Sequence, residues 1–324
     1  MPCNRPLQGY RSKKPTENGK YGITFNFNEA QTDEKMDVPC GQCLGCRADV
    51  ANEWELRMLH EQKCHDESSF ITLTYDMENL PFDGGLSKEH WKQFMYNLRW
   101  HVKPVKIRFV MGAEYGEERL QSSTPWLTND GDRLLGRPHF HAIIYGYDFP
   151  DKEPISQSKG NTLYESKLLQ KCWPHGFSSI GEANNTTARY TLKYIYKQLR
   201  GDSKTQYKRI HPETGEEYPI EPEFRRSSRM PGIGAPWVKK YYSDLFKGYC
   251  TIDGKKYVIP DYYMDLLEKM ANENNDFTRE LEEIKANRLD YIPSNWDEMY
   301  EQFNAQNRNE GFRAHMNAKV RKDT

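Results

Sequence analysis

The chain has 324 residues, 36% hydrophobic and 29% charged, with a formal net charge of −1. That length suits one large domain or two modest ones, and no apolar run approaches the roughly 20 residues a membrane helix needs. The N-terminal MPCNRPLQGYRSKK lacks the apolar core of a secretory signal, so the expectation is a cytosolic protein with no membrane partner.

The small net charge hides an uneven distribution. Ala188 to Ile210 holds seven Lys/Arg and one acid, Asp202, whereas Asp261 to Glu310 holds thirteen acids and five Lys/Arg. A local basic face binds phosphates whatever the total, although such a cluster is also compatible with a plain solvated helix surface.

Residues 1–39 are polar and turn-rich and predict little beyond a strand at Gly22 to Phe27. Pro39-Cys40-Gly41-Gln42-Cys43-Leu44-Gly45-Cys46 follows, and its two-residue gaps and glycines let a tight turn point three thiolates inward, with Cys3 as a fourth. Zinc is the usual guest of a closed thiolate site and would pin the N-terminus to the domain. An iron–sulfur cluster is the alternative, but a ferredoxin-type run would carry its fourth cysteine nearby and the next one is Cys64. Four of the seven cysteines lie in the first 46 positions, which speaks against a disulfide framework.

Arg47 to Lys63 spaces Val50, Trp54, Met58 and Leu59 as a helix with one buried stripe, and Phe70 to Asp76 alternates as a strand. Ser87 can cap a helix whose Trp91, Phe94, Met95 and Leu98 form a core-facing stripe. Next come two strands, Lys106 to Glu114 and Arg137 to Gly146, joined by a long connection. In the second, His139 and His141 share one face while Phe140, Ala142 and Ile144 share the other. Pairing the two strands antiparallel with their apolar sets together brings Glu114 onto the histidine face. Two imidazoles and a carboxylate suit a divalent ion of the Mn²⁺ or Mg²⁺ kind that also holds a phosphate oxygen and water.

Thr162 to Lys171 reads as a helix, Gly176 to Gly181 as a short strand and Thr187 to Arg200 as another helix. The order strand, helix, strand, strand, helix, strand, helix gives an α+β fold, a ferredoxin-like antiparallel sheet with flanking helices and a helical C-terminal extension. Three stretches are expected: 1–66 with the cysteines and first helix, 67–210 as the central domain, and 211–324 with the PGIG turn and helices. The acid-rich helices at Tyr262 to Met270 and Phe277 to Leu289 can dock on the domain or on another protein.

In ARYTLKYIYK (188–197), Tyr190 and Tyr194 stand four apart and share a helix face, each followed three residues on by Lys193 or Lys197. A tyrosine hydroxyl can attack phosphorus, and a neighbouring cation favours the phenolate, which free tyrosine reaches only at a pH of about 10. Tyr196 lies off that face.

These pieces together resemble the replication initiation proteins of small single-stranded DNA phages of the microvirus and gokushovirus type, members of the HUH endonucleases. The matching segments are FITLTYD (70–76), GAEYG (112–116), RPHFHAIIYG (137–146), ARYTLKYIYK (188–197) and SRMPGIGAPW (228–237); PCGQCLGCR (39–47) is similar to the gokushovirus cysteine segment. The resemblance implies that His139, His141 and Glu114 hold the metal, with Glu117 and Glu118 as rivals for the third place because of the long insertion after Glu114. It implies that Tyr190 and Tyr194 are nucleophiles assisted by Lys193 and Lys197, nicking and religating a single-stranded origin in rolling-circle replication inside a bacterial host cell.

Host polymerase and helicase are the implied partners, since no GxxxxGK[ST] loop is present. DNA contacts are expected from Arg137, Arg189, Arg200 and Lys204, with Arg119, Arg133, Arg225, Arg226 and Arg229 as further candidates. The PGIG segment is equally readable as a rigid cap on the domain. The rival readings are another HUH enzyme, a relaxase or transposase, and a non-catalytic zinc-stabilised DNA-binding protein.

Overall fold

The β-branched and aromatic runs of the chain assemble into one seven-stranded sheet, antiparallel at every pairing. This computed structural model describes residues 3, 6–16, 19, 21–41, 43–117, 135–158, 161–184, 186–188, 191, 207–210, 214–273 and 277–289. The first elements are β1 (Leu7–Pro15), β2 (Tyr21–Thr24), β3 (Met36–Val38), α1 (Leu44–Gln62), β4 (Ser68–Tyr75) and α2 (Lys88–His101). Then come β5 (Arg108–Glu117), β6 (Leu135–Tyr145), β7 (Glu153–Ser158), β8 (Asn161–Glu165), α3 (Lys167–Cys172) and β9 (Gly176–Glu182). β10 (Lys208–Ile210), β11 (Glu217–Pro219), β12 (Phe224–Ser227), α4 (Ala235–Tyr241), β13 (Tyr249–Ile252), β14 (Lys255–Val258), α5 (Asp261–Glu273) and α6 (Thr278–Asn287) complete the set.

The sheet order is β12-β5-β6-β4-β9-β8-β7. Its centre, β9-β4-β6-β5 with α2 and α3 as crossovers, is the expected ferredoxin-like arrangement. Alternation along the strands separates two cores. Ile71, Leu73, Phe109, Met111, Phe140, Ala142 and Ile144 pack under Trp91, Phe94, Met95 and Leu98 of α2 and Leu169 of α3. On the opposite face, Val110, Ile143 and Tyr145 pack with Leu56, Met58 and Leu59 of α1 and with the C-terminal helices.

Capping explains where α2 and α3 begin. The Ser87 hydroxyl accepts the His90 N–H at 3.2 Å, which opens α2 as expected. The expected helix at Thr162 to Lys171 is corrected: Asn161–Glu165 is a strand paired with β7, and the helix starts only at Lys167. Ser166 sets that boundary, since its hydroxyl accepts the Leu169 N–H at 3.1 Å and donates to Asp151 at 2.7 Å. The expected strand at Gly22 to Phe27 is likewise shorter. Asn26 ends it by accepting the Asn28 N–H and starting a 3₁₀ turn at Phe27. β1, β2 and β3 form a three-stranded sheet in the order β2-β1-β3, where little beyond the one strand is expected from sequence.

The acid-rich helices dock on the domain. Tyr263, Met264 and Leu267 of α5 and Leu281 and Ile284 of α6 enter the core beside α1. The PGIG segment acts as a cap, for Arg57 donates to the Ile233 carbonyl and Arg108 to the carbonyls of Pro231 and Gly232. Gly234 has φ +83°, and a Cβ there would stand 2.4 Å from the Tyr263 hydroxyl, so only glycine fits. Its N–H donates to Glu61 at 2.7 Å. Glu61 is fully buried on α1 and also takes the Arg108 Nε–H, with His65 Nε2 at 3.1 Å. Burial alone would raise its carboxyl, but His65, Arg108 and Gly234 hold it below the usual range. Among the described residues no helix is long and apolar enough to cross a membrane.

Candidate active site

β5 and β6 pair in the register Glu114 opposite His139 and Gly112 opposite His141. The strand pleat then aims all three functional side chains from one face. Glu114 Oε1 stands 2.8 Å from His139 Nε2 and 2.8 Å from His141 Nε2. Ligands about 2.1 Å from one ion and at right angles would lie about 3 Å apart, so the spacing suits a single divalent cation.

The surrounding bonds orient the imidazoles. The Arg137 carbonyl lies 2.9 Å from His139 Nδ1, and a carbonyl only accepts, so Nδ1 carries the proton. In the neutral ring Nε2 then presents a lone pair to the Glu114 carboxylate, a juxtaposition that calls for positive charge between them. On the next strand, Thr72 Oγ1 lies 2.9 Å from His141 Nδ1, and Phe70 stacks on the same ring. Burial pushes His141 below its ordinary value, which favours the neutral, ligating form. Burial would raise Glu114, but His139 and His141 hold it below the usual carboxylate range. The donor set, its tautomers and its supporting bonds fit a metal ion.

Gly116 gives His139 its room, since a Cβ there would lie 3.1 Å from the imidazole Cε1. Thr72 and Gly116 were not singled out from sequence. The signal was present in the alternation of FITLTYD, which places Thr72 on the histidine face once β4 is known to neighbour β6.

The second cluster lies at the start of α1. The four sulfurs of Cys3, Cys40, Cys43 and Cys46 all lie within 4.8 Å of one another, with Cys43–Cys3 at 3.8 Å and Cys40–Cys46 at 4.0 Å. A tetrahedral ion with Zn–S bonds of about 2.3 Å has sulfur–sulfur edges of about 3.8 Å. Backbone N–H groups of Cys40 and Cys43 donate to Cys3 and Cys40 sulfurs at 3.3 Å, supporting thiolate charge. None of the described cysteines forms a disulfide.

Tyr190, Tyr194, Lys193, Lys197, Arg189, Arg200 and Lys204 lie outside the described residues, as do Arg119, Arg133, Glu118 and the side chain of Glu117. The described positions beside the tyrosines are informative. Residues 186–188 and 191 are helical, and Ala188 is buried in the core that contains Val110 and Ile143. Those two share a face with Glu114 and His139, so the helix begins on the histidine side of the sheet. Arg137 is half-buried and contributes through its carbonyl. Arg225 packs its guanidinium 3.7 Å over the Trp54 ring, while Arg226 and Arg229 are exposed.

Comparison with known proteins bears on the same segment. Residues 68–199 match the family model described as replication-associated protein ORF2/G2P. The chain is 26% identical to replication-associated protein VP4 of Bdellovibrio phage phiMH2K, covering 83% of this chain and 78% of that protein. It is 27% identical to replication-associated protein ORF2 of Spiroplasma virus 4, over 83% and 81%. Replication-associated protein ORF4 of Chlamydia phage 1 is 24% identical, over 87% of this chain and 67% of its own length. No solved structure matches. The resemblance to phage replication proteins read from the motifs is thus borne out: residues 68–199 match the replication-associated protein ORF2/G2P model, within a chain similar along most of its length to replication-associated proteins of small phages.

Proposed function

We propose that the protein initiates rolling-circle replication by nicking single-stranded origin DNA with a tyrosine. The observation that carries this reading is the convergence of Glu114, His139 and His141, within the family-matched segment, on a point that one cation can occupy. A divalent ion held there, Mn²⁺ or Mg²⁺, supplies Lewis acidity and a template for the scissile phosphate. Tyr190 or Tyr194 attacks phosphorus through its phenolic oxygen; a P–O bond forms, the bond to the 3′-oxygen breaks, and the 3′-oxygen leaves with a proton as hydroxyl. The strand is left linked 5′-phosphate to tyrosine. Lys193 and Lys197 favour the phenolate and steady the crowded phosphate.

Because the ester conserves the bond, attack by a free 3′-hydroxyl reseals the strand without a nucleotide cofactor. The second tyrosine opens the regenerated origin after one round of synthesis, and host polymerase and helicase extend and unwind. Arg137, Arg189, Arg200 and Lys204 contact phosphates. Cys3, Cys40, Cys43 and Cys46 hold a structural zinc that fixes the N-terminus to α1.

The test is a denaturing gel of purified protein with end-labelled single-stranded origin DNA and Mn²⁺. Wild type is expected to give a metal-dependent protein–DNA adduct that His139→Ala and the Tyr190→Phe/Tyr194→Phe double variant abolish. Binding without any adduct, across metals and genome fragments, overturns the catalytic reading in favour of a DNA-binding module.

A further inference from the structure

The β2-β1-β3 sheet leaves one face open. Leu7, Gly9 and Arg11 of β1 alternate onto it, with Ile23 opposite Arg11, Met36 opposite Gly9 and Val38 opposite Leu7. Tyr21 and Phe25 fall on the same side as Ile23 by the two-residue strand period. A Cβ built at Gly9 would touch Ile23, Val38 and Phe25, so these side chains lean together over the glycine. The group is nevertheless bare: Tyr21 is 46% exposed, Ile23 52% and Phe25 59%. Phe27, 60% exposed, packs edge-on against Tyr10 on the opposite face of β1.

Charge chooses the partner. β1 carries Arg11, Lys13 and Lys14, all exposed, and neither β1 nor β2 contains an acid. The one acid in the three strands, Asp37, is paired with Gln8 on the opposite face, where the Gln8 amide bonds its carboxylate. The exposed acids between β2 and β3, Glu29, Asp33 and Glu34, lie outside the strands; Glu29 accepts the Thr24 hydroxyl at 3.2 Å, and Lys13 donates to the Asn28 carbonyl at 3.3 Å. Exposed aromatic rings beside the cations of β1 suit unpaired bases and their phosphates, the rings stacking and the cations tracking the backbone.

We infer that this sheet is a second binding surface for single-stranded DNA, separate from the Glu114–His139–His141 site. The inference rests on the DNA-nicking reading above. The cysteine cluster gives the surface its anchor, because Cys3 lies just before β1 and Cys40 just after β3. The sheet holds unwound strand near the protein while the central sheet does the chemistry.

The experiment measures fluorescence anisotropy of a fluorescein-labelled oligothymidylate with full-length protein, without divalent ions, so that cleavage plays no part. Phe25→Ala with Tyr21→Ala is expected to weaken binding about ten-fold or more. Replacing Arg11, Lys13 and Lys14 by glutamine is expected to lower the slope of log K against log salt by about 2. Adduct formation at saturating DNA should keep its rate while the DNA concentration for half-maximal rate rises. Photocrosslinking with iododeoxyuridine DNA should mark a peptide spanning Tyr21 to Phe27. If wild type binds and both variants bind equally with the same salt slope, the sheet is not a DNA surface, and the nicking reading stands. If wild type binds no single strand, the nicking reading itself fails. If the aromatic variant instead changes only the mass in light scattering, the face joins protein copies and the inference is overturned.

Discussion

Glu114 and His139 face one another across the β5–β6 ladder as direct Cα partners, and the carboxylate oxygen lies 2.8 Å from the imidazole Nε2. The metal-type site is therefore a property of strand register. A slip of one residue in this pair would turn Glu114 to the α2 side and separate the donors.

The Thr72–His141 bond is expected to tune that site from a third strand. Thr72→Val removes the partner of His141 Nδ1 without touching a ligand atom, and should weaken metal affinity about 10- to 100-fold. Adduct yield titrated against Mn²⁺ checks this: the midpoint should move while the plateau is largely kept.

Zinc at the cysteine cluster is expected at one ion per chain by elemental mass spectrometry. Cys43→Ser should reduce that content and loosen the first turn of α1, which Cys43 precedes as its cap residue. Proteolysis near residue 40 should become faster, whereas the Glu114 site should still load Mn²⁺.

Arg108 is expected to be a stability residue. It shares Glu61 with Gly234 and bonds two PGIG carbonyls, and Glu61 is fully buried. Arg108→Met strands a buried carboxylate and should cost about 3–5 kcal/mol in urea unfolding. Adding Glu61→Gln should recover part of the loss, since the uncompensated charge is then gone.

His60 predicts an acid-sensitive core. Its ring stacks on Trp237 at 3.5 Å between centroids, and Nδ1 lies 3.0 Å from the Tyr263 hydroxyl. Burial, with smaller repulsion from Lys63 and Lys247, pushes it down to about 3. In the unfolded chain it titrates near 6.5, so between those values the unfolded state binds the extra proton. The stability it allows is fully present above pH 6.5 and is lost as pH falls toward 3, at up to about 1.4 kcal/mol per pH unit. His60→Phe should flatten that part of the urea-midpoint profile between pH 6.5 and 4.5.

Local patterns carried much of the fold. The stripe Trp91, Phe94, Met95 and Leu98 became the buried face of α2, and the alternation of β5 placed Glu114 opposite the histidines. What local patterns missed depends on distant partners. Thr72 supports His141 only because β4 lies beside β6, and Glu61 meets Gly234 across 173 positions of chain. The strand Asn161–Glu165 resembles a helix in sequence because short exposed strands show little alternation and Tyr164, Leu168 and Cys172 stand four apart, as on one helix face. The N-terminal sheet escaped for a related reason: it buries little, so hydrophobic periodicity does not mark it.

The family match stops at residue 199, but the folding unit does not. β12, some 25 residues further on, covers the outer edge of β5, and α1 with α4 to α6 closes the histidine side of the sheet. A fragment cut to the matched segment would expose a bare strand edge beside Glu114, His139 and His141 and an uncovered apolar face, and should aggregate. A minimal folded core of this protein will have to keep residues from the first α-helix through the last.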